Sequence, residues 1–419
     1  MDSDSKTNQF KPQILVRVSN KTAKSVAEAS FHEIQQFINN SDVRNWKTLK
    51  VDDESKLSDS VVSVTIGCTE QDDGEKLGHE GFTWDDARFY KLNTDGPLSQ
   101  EISLDDSSDR TVGSQLWTLP CLEFEGIWDN LYYNDQLKNE ILTYIYSLIR
   151  LSQRGADHNI ITVNRMAMLL GPPGTGKTSL CKAVTQLLSI RLNTLYPRAV
   201  LFEVNSHSLF SKWFSESGKL VQKMFDQIDE MAEDKKCMVF VLIDEVESLG
   251  MSRESSSKRG DPADSIRAVN ALLTQIDRVR RRPNVLILCT SNLSECLDPA
   301  LVDRTDFMRH VGQPSQQALY TILLGCVEEL QRIGLVSNSD KLVSSLDFDR
   351  ICEDNSSRLL WVISKEAVGL SGRAIRQIPA LAMTLAREEV IVLEDCVRFI
   401  GQAVEERKNR NKMMSSKYL

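Results

Sequence analysis

The chain has 419 residues, 41% of them hydrophobic and 26% charged, with 59 acidic against 50 basic residues and a net charge of -9. That length exceeds what one hydrophobic core organises, so two or three domains are expected, and the apolar share excludes global disorder. The acidic balance argues against nucleic acid as the main partner, because holding phosphates takes a basic surface, and makes a protein the expected partner.

The opening residues, MDSDSKTNQF, are polar and acidic with no apolar leader core. No apolar run approaches the roughly 20 residues of a membrane span, so no membrane partner is expected. Residues 12–19 (PQILVRVS) and 61–68 (VVSVTIGC) read as strands, and between them Ala27, Phe31, Ile34 and Ile38 recur at helical spacing. They predict a small α+β domain over residues 1–105. The polar, turn-rich stretch 92–115 holds too few apolar residues to pack and places a linker at 106–120. From 121 to 313, apolar runs at 165–170, 199–204, 237–243 and 284–290 alternate with amphipathic helical segments. That alternation predicts an α/β domain built on a parallel sheet covered on both faces. Beyond residue 314 helical periodicity dominates, as in QQALYTILLGCVEELQRIG, and predicts a helical domain to residue 419. The nine cysteines never form a CxxC pair and read as reduced thiols of the cytosol or nucleus. Five histidines form no HExxH, which excludes a fused zinc protease.

The run 171–178, GPPGTGKT, follows an apolar strand and opens a helix, the setting of a phosphate-binding P-loop. Gly171, Pro172, Pro173, Gly174, Thr175 and Gly176 form the loop, whose glycines let backbone N–H groups curl inward around phosphates. Lys177 is expected to reach the β and γ phosphates and the Thr178 hydroxyl to ligate Mg²⁺. The apolar run of VFVLIDEVESL delivers Asp244 to a strand end, where it holds hydrated Mg²⁺, with Glu245 next in line to polarise an attacking water. No NKxD guanine-reading motif is present, which favours ATP as the nucleotide. The strand VLILCTSN ends in Asn292, a candidate sensor of the γ-phosphate. Arg304 in DPALVDRTD is the candidate arginine finger toward a neighbouring subunit, with Arg309 as the backup. Arg373 in GLSGRAIRQ would tie the helical domain to the same nucleotide. Two basic segments, 278–283 and the tail after 406, read as solvated surface, with DNA or chromatin contact as the alternative.

The order GPPGTGKT, apolar-IDE, TSN, DPAL and GLSGR resembles the AAA+ family of oligomeric ATPases over residues 116–419. The wording NSHSLFSKWFSESGKLVQKMF, FVLIDEVESL, NALLTQID and EFEGIWDNL resembles its pachytene checkpoint protein 2 branch, the remodellers of HORMA-domain proteins. The resemblance implies an α/β fold with a P-loop domain on a parallel sheet, a helical lid after it and a small α+β domain before it. It implies a Mg²⁺-dependent ATP hydrolase working as a homo-hexamer, with an amino-terminal domain that docks clients and a HORMA-like adaptor. The clients implied belong to the spindle checkpoint and the meiotic chromosome axis, and the location implied is the nucleus and also the cytoplasm. Trp213 and Phe214 match the pore loop of such rings, where large apolar side chains grip a threaded segment. An anchor of the following helix to the core is the other use of Trp213, and the polar frame around it favours the pore. Residues 250–265 match a second pore loop, where Arg253, Lys258 and Arg259 either touch the client or belong to a solvated loop. A DNA-acting clamp-loader or helicase-like ATPase and a nucleotide-gated scaffold remain competing functions. The acidic balance and the aromatic loop weigh against the first, and the intact Asp244–Glu245 pair weighs against the second.

Overall fold

The computed structural model describes residues 12–52, 55, 57–68, 76–77, 82–103, 110–133, 136–157, 160–204, 217–247, 262–292, 297–338, 340–345 and 347–415. The chain divides into two compact units, Met1–Asp129 with Gln136–Leu170 and Thr178–His310, and Asn130–Asp135 with Gly171–Lys177 and Val311–Leu419.

The first unit begins with β1 (Gln13–Val18), α1 (Lys24–Ala29), α2 (Phe31–Asn39), β2 (Thr48–Lys50), β3 (Val61–Gly67) and β4 (Ala87–Tyr90). The strands form a sheet in the order β2-β3-β1-β4, with β3 antiparallel to β1 and β2, and β4 parallel to β1. The helical stripe read from the sequence meets this sheet: Ala27, Ile34 and Ile38 are buried in one core with Ile14, Val16, Val64 and Ile66, and Phe31 packs against it. The single helix suggested by that stripe is interrupted at Ser30, which ends α1 and precedes α2.

A second sheet in the same unit is built from β5 (Leu98–Ser103), β6 (Arg110–Leu119), β7 (Met166–Leu170), β8 (Arg198–Val204), β9 (Cys237–Ile243), β10 (Val285–Ser291) and β11 (Phe307–His310). Between them come α3 (Leu137–Gln153), α4 (Lys177–Arg191), α5 (Ser217–Glu233), α6 (Pro262–Val279) and α7 (Pro299–Asp303). The order is β11-β7-β10-β9-β8-β6-β5, and the five strands from β7 to β11 are parallel. Every residue of β9 and β10 is buried, as strands covered on both faces require, which is why both stand out as continuous apolar runs.

One expectation is corrected here. The polar segment set aside as a linker at 106–120 contains β6, which pairs antiparallel with β8 from Ser114↔Val204 to Leu119↔Ala199, and β5 pairs antiparallel with β6 beyond it. Leu116, Trp117 and Leu119 are buried there. The strand is hidden in sequence because Thr, Gly, Ser and Gln interrupt the alternation, and its partners on β8 lie 80 to 90 positions away. The four-residue edge strand β11 also escapes sequence reading, since FMRH carries two polar residues among four.

The second unit holds α8 (Gln316–Arg332), α9 (Phe348–Glu353), α10 (Asn355–Glu366), α11 (Gly372–Met383) and α12 (Leu393–Ser415). Leu319, Leu323, Val327, Leu360, Ile375, Ile378, Val397 and Ile400 form its core. Side chains cap three of these helices: Ser315 accepts from Ala318 N–H, Asp354 from Ser357 N–H and Ser371 from Ala374 N–H. Each cap satisfies an N–H that the first helical turn leaves without a carbonyl. Among the described residues, no helix is long and apolar enough to cross a membrane.

Candidate active site

The apolar strand β9 stops at Ile243, and the chain emerges from the sheet as Asp244 and Glu245. Asp244 Oδ1 accepts a hydrogen bond from Thr178 Oγ1 at 2.7 Å, and another from the Thr290 hydroxyl. Glu245 has φ +55, the left-handed region, which costs a residue with a side chain on the order of 1–3 kcal/mol and persists only where neighbours hold it. Its N–H donates to Thr290 Oγ1 at 3.2 Å, and the next N–H, from Val246, donates to the Thr290 carbonyl at 3.0 Å. Asn292 Nδ2 lies 3.4 Å from Glu245 Oε1 as a donor, while its backbone N–H donates to Glu247 Oε1 at 3.0 Å. Thr178, Asp244, Glu245 and Asn292, picked out separately in the sequence, thus form one connected cluster. Thr178 Oγ1, in the first turn of α4, and Asp244 Oδ1, just past the end of β9, are hard oxygen donors that meet, a set that fits a hydrated Mg²⁺.

The phosphate loop is described within the second unit. Lys177 Nζ donates to the carbonyls of Gly171 at 2.7 Å and Pro172 at 2.8 Å, and Thr175 Oγ1 donates to Pro172 O at 3.0 Å. Pro173 lies between these anchors and the positive-φ glycines Gly174 (φ +77) and Gly176 (φ +94). A side chain is disfavoured at both by the positive φ and by crowding: a Cβ on Gly174 would lie 2.8 Å from Ser371 Oγ, and one on Gly176 would lie 3.0 Å from the Tyr133 hydroxyl. Such a left-handed curl turns successive N–H groups inward, and the loop fits a nucleotide phosphate on that ground. Arg373, in the first turn of α11, reaches the loop through its backbone, whose N–H donates to Gly174 O at 3.2 Å. Tyr133 touches the same loop, its hydroxyl donating to Gly176 O at 3.2 Å.

Arg304 is held within its own chain. Its Nε and Nη2 form a two-pronged pair with Asp277 at 3.0 and 2.8 Å, and Nη1 donates to Ala300 O at 2.8 Å. The hydrogen bond from Arg304 draws the Asp277 carboxyl below its ordinary range, and the same bond raises the guanidinium. Arg309 donates from Nε to Glu140 Oε2 at 2.6 Å. Any action of either arginine on a neighbouring subunit starts from these pairs. Trp213 and Phe214 lie outside the described residues, as do Arg253, Lys258 and Arg259. In the basic segment 278–283, Arg278 pairs with Asp226 and Arg282 with Asp229, both on α5, so part of its charge is balanced within the chain.

The sequence alone assigns no role to Thr290, Glu247, Asp277 or Tyr133. Thr290 and Glu247 carried a weak signal, each being a polar residue two positions from a marked one at a strand end. Asp277 and Tyr133 carried none.

A parallel sheet with a glycine-rich phosphate loop, an Asp-Glu pair at the end of a buried strand and a helical unit after it define a P-loop ATPase of the AAA class. Family models agree: residues 167–313 match the ATPase family associated with various cellular activities (AAA), 315–408 the TRIP13-like AAA+ ATPase lid C-terminal domain, and 8–92 the Pch2 N-terminal domain. The putative pachytene checkpoint protein 2 of Caenorhabditis elegans is 52% identical over 410 residues, covering 94% of this chain and 96% of that protein. The pachytene checkpoint protein 2 homolog of Mus musculus is 42% identical over 372 residues, 87% of this chain and 85% of that one. The solved structure of C. elegans PCH-2 superposes with a TM-score of 0.80 at 47% identity, covering 95% of this chain and 99% of that one. The chain belongs to the pachytene checkpoint protein 2 family, and it is an ATP hydrolase.

Proposed function

We propose that the chain is an ATP-driven remodeller of HORMA-domain proteins, working as a homo-hexamer that draws a mobile client segment past an aromatic pore loop. The observation that carries the hydrolytic half is the Thr178–Asp244–Glu245–Asn292 cluster at the carboxyl ends of β9 and β10. The backbone N–H groups of Gly171, Gly174, Thr175 and Gly176, with Lys177, would bind the phosphates around the turn set by Pro172 and Pro173, and Thr178 and Asp244 would hold Mg²⁺. When bound, Mg²⁺ neutralises charge on the phosphate oxygens. Glu245 orients the attacking water and takes its proton at the carboxylate, and Asn292 aligns Glu245 through the 3.4 Å contact. Arg373 links the lid to the loop, and Arg304 serves the neighbouring subunit. Family membership supports HORMA-domain clients, and the proposal extends to a HORMA-like adaptor and to a nuclear as well as cytoplasmic place of action. The polar frame of Trp213 and Phe214 supports the pore.

The test is steady-state ATP hydrolysis with and without a HORMA-domain protein and its adaptor, for wild type, Glu245→Gln and Trp213→Ala. Glu245→Gln is expected to bind ATP and to lose on the order of 10²-fold or more in turnover. Trp213→Ala is expected to keep basal hydrolysis and lose stimulation by the client. Equal rates with and without client in the wild type, with stimulation by DNA instead, would replace the client reading with a DNA-acting one.

A further inference from the structure

The geometry points to Thr290 as a positioning residue for hydrolysis, one whose hydroxyl sets both carboxylates of the Asp244–Glu245 pair. A threonine hydroxyl has one proton to give and lone pairs to accept with. Thr290 gives its proton to Asp244 Oδ1 and accepts the N–H of Glu245 at 3.2 Å, so one buried oxygen bonds to both members of the pair. Its carbonyl adds a third tie by accepting Val246 N–H at 3.0 Å. Three consecutive residues beyond β9 are therefore fastened to one residue of β10.

The first tie fixes which way the Asp244 carboxylate faces, because Oδ1 is shared between Thr290 and Thr178. The second holds Glu245 at φ +55, a conformation that a residue with a side chain leaves unless its backbone is restrained. That restraint decides where the Glu245 carboxylate points, and thus whether Asn292 Nδ2 meets it. Thr290 is 1% exposed, so its hydroxyl works away from water, where a hydrogen bond is electrostatically stronger and its loss is felt more. Valine at 290 has the same shape and the same preference for a strand but no hydroxyl, which separates orientation from packing.

The inference rests on the reading of Asp244 as the metal-holding residue and Glu245 as the water-orienting one. The experiment uses the full chain as wild type, Thr290→Val, Thr290→Ala, Thr290→Ser and Glu245→Gln. It measures kcat and KM for ATP, and amide hydrogen exchange over 244–247 in the nucleotide-free protein. Thr290→Val and Thr290→Ala are expected to lower kcat roughly tenfold or more with KM within about twofold, and to speed exchange at Glu245, whose N–H bonds to the hydroxyl, more than at Val246, whose N–H bonds to the carbonyl. Thr290→Ser is expected to restore both readouts. The inference is overturned if either hydroxyl-free variant that folds keeps kcat within about twofold of wild type while Glu245→Gln is inactive. It is equally overturned if Thr290→Ser is as impaired as Thr290→Val, or if both hydroxyl-free variants fail to fold, since the residue would then serve packing or folding. A Glu245→Gln variant that hydrolyses ATP normally would instead remove the reading on which the inference stands.

Discussion

Single residues here carry their roles through partners set far off in the chain. Arg304 is recognisable from its motif, yet its two-pronged partner Asp277 lies 27 positions earlier on α6 and has no motif of its own. Arg304 lowers the Asp277 carboxyl below the value of about 3.9 for a free aspartate. A carboxyl depressed by folding stabilises the native state above its unfolded pKa, and that contribution is lost as pH falls through the folded value. Both side chains are partly exposed, so screening keeps the pair small. Asp277→Asn is expected to lower unfolding free energy by at most about 1 kcal/mol at pH 7, with the difference from wild type closing below about pH 4. Urea unfolding at pH 7 and pH 3 measures this; a difference that persists undiminished at low pH would mean the pair's charge is not the cause.

At the level of elements, legibility follows burial. Strands β7, β9 and β10 are legible because both faces are covered and their apolar residues run together, and β8 is legible from AVLF with only Arg198 and Glu203 breaking the run. Strand β6 is illegible because its apolar residues cluster at one end and its stability comes from the ladder with β8. Trp117 shows the consequence: it is buried, its Nε1 donates to Glu203 Oε2 at 3.0 Å, and its ring lies 4.8 Å from that of Phe124. Trp117→Ala is expected to cost roughly 3–5 kcal/mol in a urea unfolding curve. In a free linker the same substitution would cost within about 0.5 kcal/mol, so the measurement separates the two pictures.

For the molecule as a whole, the helix that opens at the phosphate loop has its far end under the amino-terminal sheet. Arg191, the last residue of α4, is fully buried; its Nε donates to Gln13 Oε1 at 2.8 Å, and its guanidinium lies 5.0 Å from the Trp46 ring and 4.9 Å from that of Tyr146. Burial lowers the pKa of the guanidinium and pushes the Tyr146 phenol up to about 12. Two ring faces and an amide oxygen replace the water that Arg191 gives up. Arg191→Ala is expected to cost roughly 2–4 kcal/mol and to speed hydrogen exchange along Gln13–Val18 while leaving α8 to α12 unchanged. Uniform acceleration throughout the chain would mean that Arg191 supports the fold generally and does not tie the amino-terminal sheet to α4.

The phosphate loop, the Asp-Glu pair and the helical lid could be read from the chain alone because each depends on neighbours in sequence. Glycines permit the left-handed turns, an apolar run ends in a carboxylate, and apolar residues recur at helical spacing. The tertiary structure decided the rest: β6 against β8, Asp277 against Arg304, Thr290 against Asp244 and Arg191 against Gln13. The last two pairs are separated by 46 and 178 positions. Ser, Thr, Gln and Asp are ordinary surface residues until a partner removes them from water. Which partner arrives depends on how strands order themselves in a sheet, and no local pattern encodes that order.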